Sequence, residues 1–238
     1  MSMRTLLPTL AVNSLLTACA STPLHPSATR VPDADVFRPD GPPRATVLLL
    51  HGWSDRATRN YLPWIRHLTA QGLAVVFPYY QESLRSSRKQ MVAGAEVGLR
   101  AGLAALGSDH GPIVAAGYSY GAGLAVIAAA EADAWQLPVP AAVYGVFPYF
   151  VRRNDPAPLV LPHDTTVELV VGDRDQVVGR RGAAAIARSI APHPSSLDVL
   201  ESGPELSFGH LSVLQTGAAA QAAFWDPLDR IVDRVAPR

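Results

Sequence analysis

The chain has 238 residues, of which 48% are hydrophobic and 17% are charged, so it can form one sizeable core but hardly a second domain. Lysine and arginine together equal aspartate and glutamate, which excludes the broad basic surface that nucleic-acid binding requires. We expect a monomer that acts on a small, neutral or apolar substrate. One cysteine excludes an intramolecular disulfide framework, and no Cys/His pair has metal-ligand spacing, so we expect no metal.

The first 18 residues have the features of a secretory signal peptide: Arg4, an apolar stretch from Leu6 to Leu16, and then small residues. Residues 16–19, Leu-Thr-Ala-Cys, resemble the lipobox of bacterial lipoproteins. That resemblance implies cleavage before Cys19, lipidation of this cysteine and attachment to a membrane of the bacterial cell envelope. A secreted or periplasmic protein, or an apolar N-terminus with an incidental cysteine, remains the alternative.

The region after the cysteine is rich in Ser, Thr, Pro and Ala, which is typical of a flexible linker. We therefore assign residues 19–43 to the lipidated cysteine and a tether, and residues 44–238 to the folded domain.

From residue 44 onward, short apolar runs alternate with helix-length segments, which predicts a parallel β-sheet with crossover helices and an α/β fold. The predicted strands cover residues 45–50, 73–77, 113–116, 141–147, 167–171 and 197–200. The predicted helices cover residues 61–71, 87–106, 121–130, 181–190 and 218–235, the last with a possible interruption at Pro227.

Residues 117–121, Gly-Tyr-Ser-Tyr-Gly, fit the pattern G-x-S-x-G between a predicted strand and a predicted helix of small residues. This context is the one in which a sharp turn lifts a serine above the sheet as a nucleophile. Here the chain resembles the α/β-hydrolase superfamily, and the resemblance covers roughly residues 44–216. It implies a mostly parallel central sheet with helices on both faces, and Ser119 as the nucleophile. The alternative is a serine in an ordinary Gly-rich turn.

The same resemblance implies two backbone N–H groups that stabilise the oxyanion of acyl transfer. One belongs to Tyr120, directly after the nucleophile, and the other to Trp53 in the loop His51-Gly52-Trp53. Alternatively, this loop only turns the chain and Trp53 is a surface aromatic residue.

The superfamily's chain order of serine, acid and histidine implies that the base lies after the last strand. This selects His210 over His163 and His193, which precede strands and which we interpret as solvated loop residues. Two aspartates follow the strand at residues 167–171. The superfamily's spacing favours Asp175 as the acid, and Asp173 reads as a turn carboxylate.

These residues predict a serine hydrolase that cleaves a carboxylic ester or related acyl bond without an organic cofactor. A serine peptidase or thioesterase with the same triad remains possible, as does a catalytically silent envelope lipoprotein that kept the fold. Tyr118, Tyr149 and Phe150 are candidates for the pocket wall, although aromatic residues near strand ends are as often part of the core. The Pro-rich stretch 148–164 is too short for a helical cap, so we expect an open, shallow pocket that favours short acyl groups.

Overall fold

The computed structural model describes residues 28–150 and 158–238. The predicted signal peptide and Cys19 lie outside the described residues. Within them, eight strands form one sheet: β1 (Ala28–Val31), β2 (Ala34–Phe37), β3 (Ala45–Leu50), β4 (Leu73–Pro78), β5 (Ile113–Tyr118), β6 (Ala142–Val146), β7 (Thr166–Gly172) and β8 (Ser196–Leu200).

The strands are ordered β1-β2-β4-β3-β5-β6-β7-β8 across the sheet. From β4 to β8 every neighbouring pair is parallel, whereas β1 and β2 are antiparallel to their neighbours. Strands β3, β4, β5 and β6 are buried along their whole length, which explains why they read as continuous apolar runs. The carboxyl ends of β3, β5, β7 and β8 therefore lie at the same edge of the sheet.

Helices cover both faces of the sheet: α1 (Leu62–Ala70), α2 (Arg88–Leu106), α3 (Tyr120–Ala130), α4 (Arg181–Ile190), α5 (Ala218–Ala220) and α6 (Asp226–Val235). One core contains buried residues of α2, α3 and α4, and the other contains those of α1 and α6. The predicted α/β-hydrolase architecture, with helices on both faces, is confirmed. In the described parts of the stretch between β6 and β7, residues 147–150 and 158–165, there is no helix.

The domain begins earlier than the predicted boundary at residue 44. Strand β2 is buried along its length and pairs with β4, so residues 34–37 belong to the sheet and not to a tether. The Asp35 carboxylate accepts hydrogen bonds from Arg30 at 3.0 Å and from the Thr58 hydroxyl at 3.0 Å. The prediction of a tether is wrong for residues 28–37, because the partner that buries β2 is distant in the sequence.

The C-terminal helical segment differs in detail from the single helix predicted over 218–235. A π-helical turn, Gln221–Trp225, separates α5 from α6. Pro227 is the second residue of α6 and directly follows this π-helical turn, and the backbone before it at Trp225 and Asp226 is already helical. At this point the helical segment changes type and is not broken.

Candidate active site

Ser119 occupies the sharp turn between β5 and α3. Its backbone has φ 54° and ψ −116°, a strained conformation for a residue with a side chain. The two flanking glycines make this turn possible, because the backbone approaches itself closely on both sides. A Cβ on Gly117 would lie 2.3 Å from the carbonyl oxygen of Gly121, and one on Gly121 would lie 2.2 Å from that of Leu50.

His210 lies in the connection after β8, at the start of the short 3₁₀ helix His210–Leu214. Its Nε2 is 2.9 Å from the Ser119 Oγ, and its Nδ1 is 2.9 Å from the Asp175 Oδ2. An ionised carboxylate can only accept a hydrogen bond, so the proton of the neutral imidazole belongs on Nδ1. Nε2 is then free to accept the serine proton.

Asp175 is fixed in place by the loop after β7. Its Oδ1 accepts hydrogen bonds from the backbone N–H groups of Val177 at 2.9 Å and Val178 at 3.2 Å, which leaves Oδ2 for His210. The side chain of Asp175 is fully buried, and that of His210 is 11% exposed. The pair is thus shielded from water, which strengthens the interaction between them.

Asp173, the competing aspartate, has other partners. Its carboxylate accepts a hydrogen bond from the Ser202 hydroxyl, which lowers the pKa of this carboxyl, and it lies 3.6 Å from the Arg174 guanidinium. Of the other histidines, His193 Nε2 contacts the carbonyl oxygen of Thr165 at 2.7 Å. The structure therefore brings Ser119, His210 and Asp175 together and leaves the alternatives elsewhere.

The loop after β3 lies beside the serine. A Cβ on Gly52 would be 3.7 Å from the Ser119 Cβ. The Gly52 carbonyl oxygen accepts hydrogen bonds from His51 Nδ1 at 2.8 Å and from the Asp55 N–H at 3.1 Å. A trans peptide directs its N–H opposite to its C=O, so these two bonds fix the direction of the Trp53 N–H.

Tyr120 is the first residue of α3, and an N–H in the first turn of a helix has no acceptor within that helix. The helix dipole adds a partial positive charge at the same position. Both predicted donors therefore belong to segments that adjoin Ser119, and their role in binding a substrate oxygen stays a prediction.

His51 itself is a buried neutral base, because burial lowers its pKa to about 4. Its ring stacks on Tyr80 with centroids 4.1 Å apart, and its backbone oxygen accepts a hydrogen bond from the Tyr80 hydroxyl. This role of the His51 side chain was not predicted, because the only signal in the sequence was the His-Gly pair, which indicates the loop and not the contacts of the ring.

A pocket of about 740 Å³ opens above Ser119. Tyr118 and Tyr149 lie in its wall as predicted, and the Tyr118 hydroxyl donates to the His210 carbonyl oxygen at 3.0 Å. Other wall residues were not predicted: Ser54, Asp55, Met91, Val177, Val178, Leu211 and Leu214. Leu211 could have been suspected from its adjacency to His210, whereas nothing in the sequence connects Met91 of α2 with the serine.

Phe150 does not line this pocket, so that prediction is wrong. The side chain is 5% exposed and belongs to the core on the α3 side of the sheet. It packs so close to α3 that a Cβ on Gly123 would lie 3.0 Å from its ring. The large apolar ring is buried in the core while the neighbouring Tyr149 reaches the pocket.

No protein-family model matches the sequence, and no curated protein sequence matches it either. Solved structures are similar at 16–17% identity. The α/β-hydrolase enzyme MGS-M1 from a Medee basin deep-sea metagenome library has a TM-score of 0.66 over 90% of this chain and 99% of its own. A thermophilic esterase from Thermogutta terrifontis gives 0.64 over 86% and 88%. Esterase B from Lactobacillus rhamnosis gives 0.66 over 87% and 82%. The chain therefore has the α/β-hydrolase fold.

Proposed function

We propose that the protein is a serine hydrolase of carboxylic esters that uses Ser119, His210 and Asp175. The observation that carries this proposal is the continuous pair of 2.9 Å contacts from the Ser119 hydroxyl through the imidazole to the Asp175 carboxylate. A serine, a base within hydrogen-bond reach and a third group that orients the base are the elements of an activated nucleophile.

In the proposed reaction, His210 Nε2 accepts the hydroxyl proton while the Ser119 Oγ forms a bond to the ester carbonyl carbon. The carbonyl oxygen becomes an oxyanion, which the N–H groups of Trp53 and Tyr120 stabilise. When the tetrahedral intermediate collapses, the bond to the alcohol oxygen breaks and His210 returns its proton to that oxygen. Water then repeats the sequence on the acyl-enzyme and releases the acid.

Asp175 has two roles in this scheme. It keeps the imidazole proton on Nδ1, so that Nε2 faces the serine, and it stabilises the imidazolium formed in each half-reaction. The rings of Tyr118 and Phe147, whose centroids lie 5.1 Å and 5.9 Å from that of His210, pack against the imidazole in tilted orientations.

The names of similar structures support an ester substrate over an amide or thioester. One structure of the Thermogutta terrifontis esterase has butyrate bound and another was phosphoramylated by tabun, and Esterase B was inhibited by a tributyrin phosphonate. A peptidase or thioesterase would use the same three residues, so substrate profiling has to separate these activities. A catalytically silent protein would keep the fold but leave Ser119 unreactive.

A fluorophosphonate probe and p-nitrophenyl acetate test the proposal together. We expect the wild-type protein to be labelled at Ser119 and to hydrolyse the ester, and the Ser119→Ala variant to lose both properties. Ser108→Ala, in which an exposed serine is removed, is the matched control and should behave as wild type. Labelling of Ser119→Ala at the wild-type rate, or absence of labelling and turnover in folded wild-type protein, would refute it.

We further propose that Cys19 is lipidated and attaches the enzyme to a membrane of the bacterial cell envelope, on the strength of its lipobox-like context. No helix within the described residues is long and apolar enough to cross a membrane. Expressed in a bacterial host, the protein should fractionate with membranes, and Cys19→Ala should not be processed at that site. Mass spectrometry that finds an unmodified Cys19 thiol in the mature protein would contradict this proposal.

A further inference from the structure

Four large apolar side chains are exposed around the mouth of the pocket above Ser119. Trp53 is 49% exposed, Tyr149 is 44%, Val177 is 71% and Leu211 is 68%. We call these four residues the apolar collar. They belong to four segments, which follow β3, β6, β7 and β8, and these strands lie on both sides of β5, which precedes Ser119.

Single exposed apolar residues are common on protein surfaces, but a contiguous group marks a binding surface. The other exposed large apolar residues of the described chain lie outside the pocket wall: Leu84, Val97, Val139, Val160 and Leu197. No lysine or arginine of the described residues lines the pocket. The wall is therefore largely apolar, its carboxylate is that of Asp55, and it has no lysine or arginine that would attract an acidic substrate.

The pocket below the collar is larger than the shallow site expected from the missing cap. Its volume of about 740 Å³ is in the range of cavities that enclose drug-sized ligands. Met91 and Leu214 contribute apolar wall below the exposed collar, and Met91 is only 4% exposed. The pocket wall thus includes both buried apolar side chains, such as Met91, and exposed ones, such as Leu211.

We propose that the substrate is an ester with an extended apolar chain, longer than an acetyl group, that lies in the pocket and along the apolar collar. The inference rests on the proposed function, because the occupant of this surface has to present its carbonyl carbon to Ser119. An apolar chain is the chemistry that gains from four exposed apolar side chains without needing a charged partner. This proposal replaces the expectation of a preference for short acyl groups.

Each methylene group of the substrate that leaves water makes binding of the substrate more favourable. Full burial of one methylene group contributes up to about fourfold to binding. On a partly exposed collar the gain per methylene is smaller, but over the six methylenes that separate an octanoyl from an acetyl group it accumulates. We expect kcat/KM for p-nitrophenyl octanoate to exceed that for p-nitrophenyl acetate by about tenfold or more.

The decisive measurement is the octanoate-to-acetate ratio of kcat/KM in wild type and in the double variant Val177→Ser/Leu211→Ser. The proposal predicts that the ratio falls at least fivefold in the double variant. Val160→Ser is the matched control, because Val160 is 77% exposed, close to the 71% of Val177, but lies outside the pocket wall. It should leave the ratio unchanged.

A binding measurement separates the failure of this inference from the failure of the proposed function. Calorimetric titration of Ser119→Ala protein with octanoate and with acetate needs no turnover, and octanoate should bind at least tenfold more tightly. If no ester is hydrolysed but octanoate still binds preferentially, the proposed function fails and the apolar site stands.

Three results would overturn the apolar-chain proposal while esters are hydrolysed. The first is a wild-type ratio near one, and the second is a ratio that Val160→Ser lowers as much as the double variant does. The third is that the double variant keeps the wild-type ratio but loses binding to phosphatidylcholine vesicles that the wild-type protein binds. The collar would then contact a lipid surface and not the substrate chain.

Discussion

At the scale of single residues, the two aspartates after β7 differ in what their carboxylates contact. Asp175 is buried and lies 2.9 Å from His210 Nδ1, whereas Asp173 contacts Ser202 and Arg174 near the surface. We expect Asp175→Asn to lower kcat for p-nitrophenyl acetate by about 10³-fold or more, because an amide can stabilise the wrong imidazole tautomer. Asp173→Asn should stay within about threefold of wild type.

Steady-state kinetics of the two variants decide whether Asp175 or Asp173 is the carboxylate that supports His210. Circular dichroism verifies that both variants are folded. Equal losses in both variants would indicate that the loop after β7, and not one carboxylate, supports activity. A severe loss in Asp173→Asn alone would reverse the assignment.

His51 makes stability depend on pH, because its pKa is about 4 in the folded protein and near 6.5 when unfolded. Below pH 6.5 the unfolded chain binds a proton here that the folded protein does not. The free energy of unfolding therefore falls as the pH drops from about 6.5 to about 4, by on the order of 3 kcal/mol from this group. Below pH 4 both states are protonated and the contribution stops changing.

Urea unfolding between pH 7 and pH 4 measures this effect. His51→Asn keeps a side-chain N–H donor but has no proton to gain, so its stability should change less with pH than that of wild type. His163→Asn is the control, because the His163 side chain is fully exposed, and it should keep the wild-type pH dependence. An unchanged pH dependence in His51→Asn would exclude His51 as its source.

At the scale of elements, the turn between β5 and α3 depends on close backbone approach. A Cβ on Gly121 would lie 2.2 Å from the Leu50 carbonyl oxygen and 2.4 Å from that of His51, and neither is the end of a flexible side chain. We expect Gly121→Ala to lower the free energy of unfolding by about 2 kcal/mol or more, since β3 and α3 have to separate.

Gly203→Ala provides the matched control. Gly203 lies in an exposed loop, has no neighbouring atom within 4 Å of an added Cβ, and should tolerate alanine within about 0.5 kcal/mol. Urea unfolding of the two variants gives the comparison. If the free energy of unfolding is the same for Gly121→Ala and Gly203→Ala, the close approach of β3 to α3 is not required for stability.

The sequence predicted the elements whose burial is continuous or periodic and missed those whose burial comes from distant partners. Strands β3 to β6 are continuous apolar runs, and α2 has apolar or small residues along one face, so local patterns located them. Strand β2 has four residues and a carboxylate in its middle, which locally resembles a linker. Its burial depends on β4 and on Arg30, and no local pattern shows those contacts.

At the scale of the whole molecule, the candidate site joins segments that are far apart in the chain. The contacts of His210 bridge 91 residues to Ser119 and 35 residues to Asp175. Chain order and motif spacing sufficed to select these residues, because parallel strands place their carboxyl ends at one edge. The apolar collar and the burial of Phe150 could not be predicted in this way. Packing against several loops decides whether an apolar side chain faces the core or the pocket, and chain order does not show that packing.

The sheet also sets where the folding unit begins, and this can be tested by truncation. A chain that starts at residue 28 keeps β1 and β2, whereas one that starts at residue 44 exposes the edge of β4. It also loses buried Phe37, which is 2% exposed, and the contact of α2 with the β1–β2 turn. Loss of one such buried ring costs about 3 kcal/mol or more, and an unpaired β4 edge favours aggregation.

We therefore expect the chain that starts at residue 28 to unfold cooperatively, within a few degrees of the chain that starts at residue 19. The chain that starts at residue 44 should be insoluble or unfold at least about 10 °C lower. Circular dichroism melting curves and size-exclusion chromatography measure both. Equal melting temperatures for the two chains would mean that the pairing of β2 with β4 adds no stability. The folding unit would then begin at residue 44, as predicted from the sequence. A large difference would follow from β2 forming part of the same cooperative core that holds Ser119 at the end of β5.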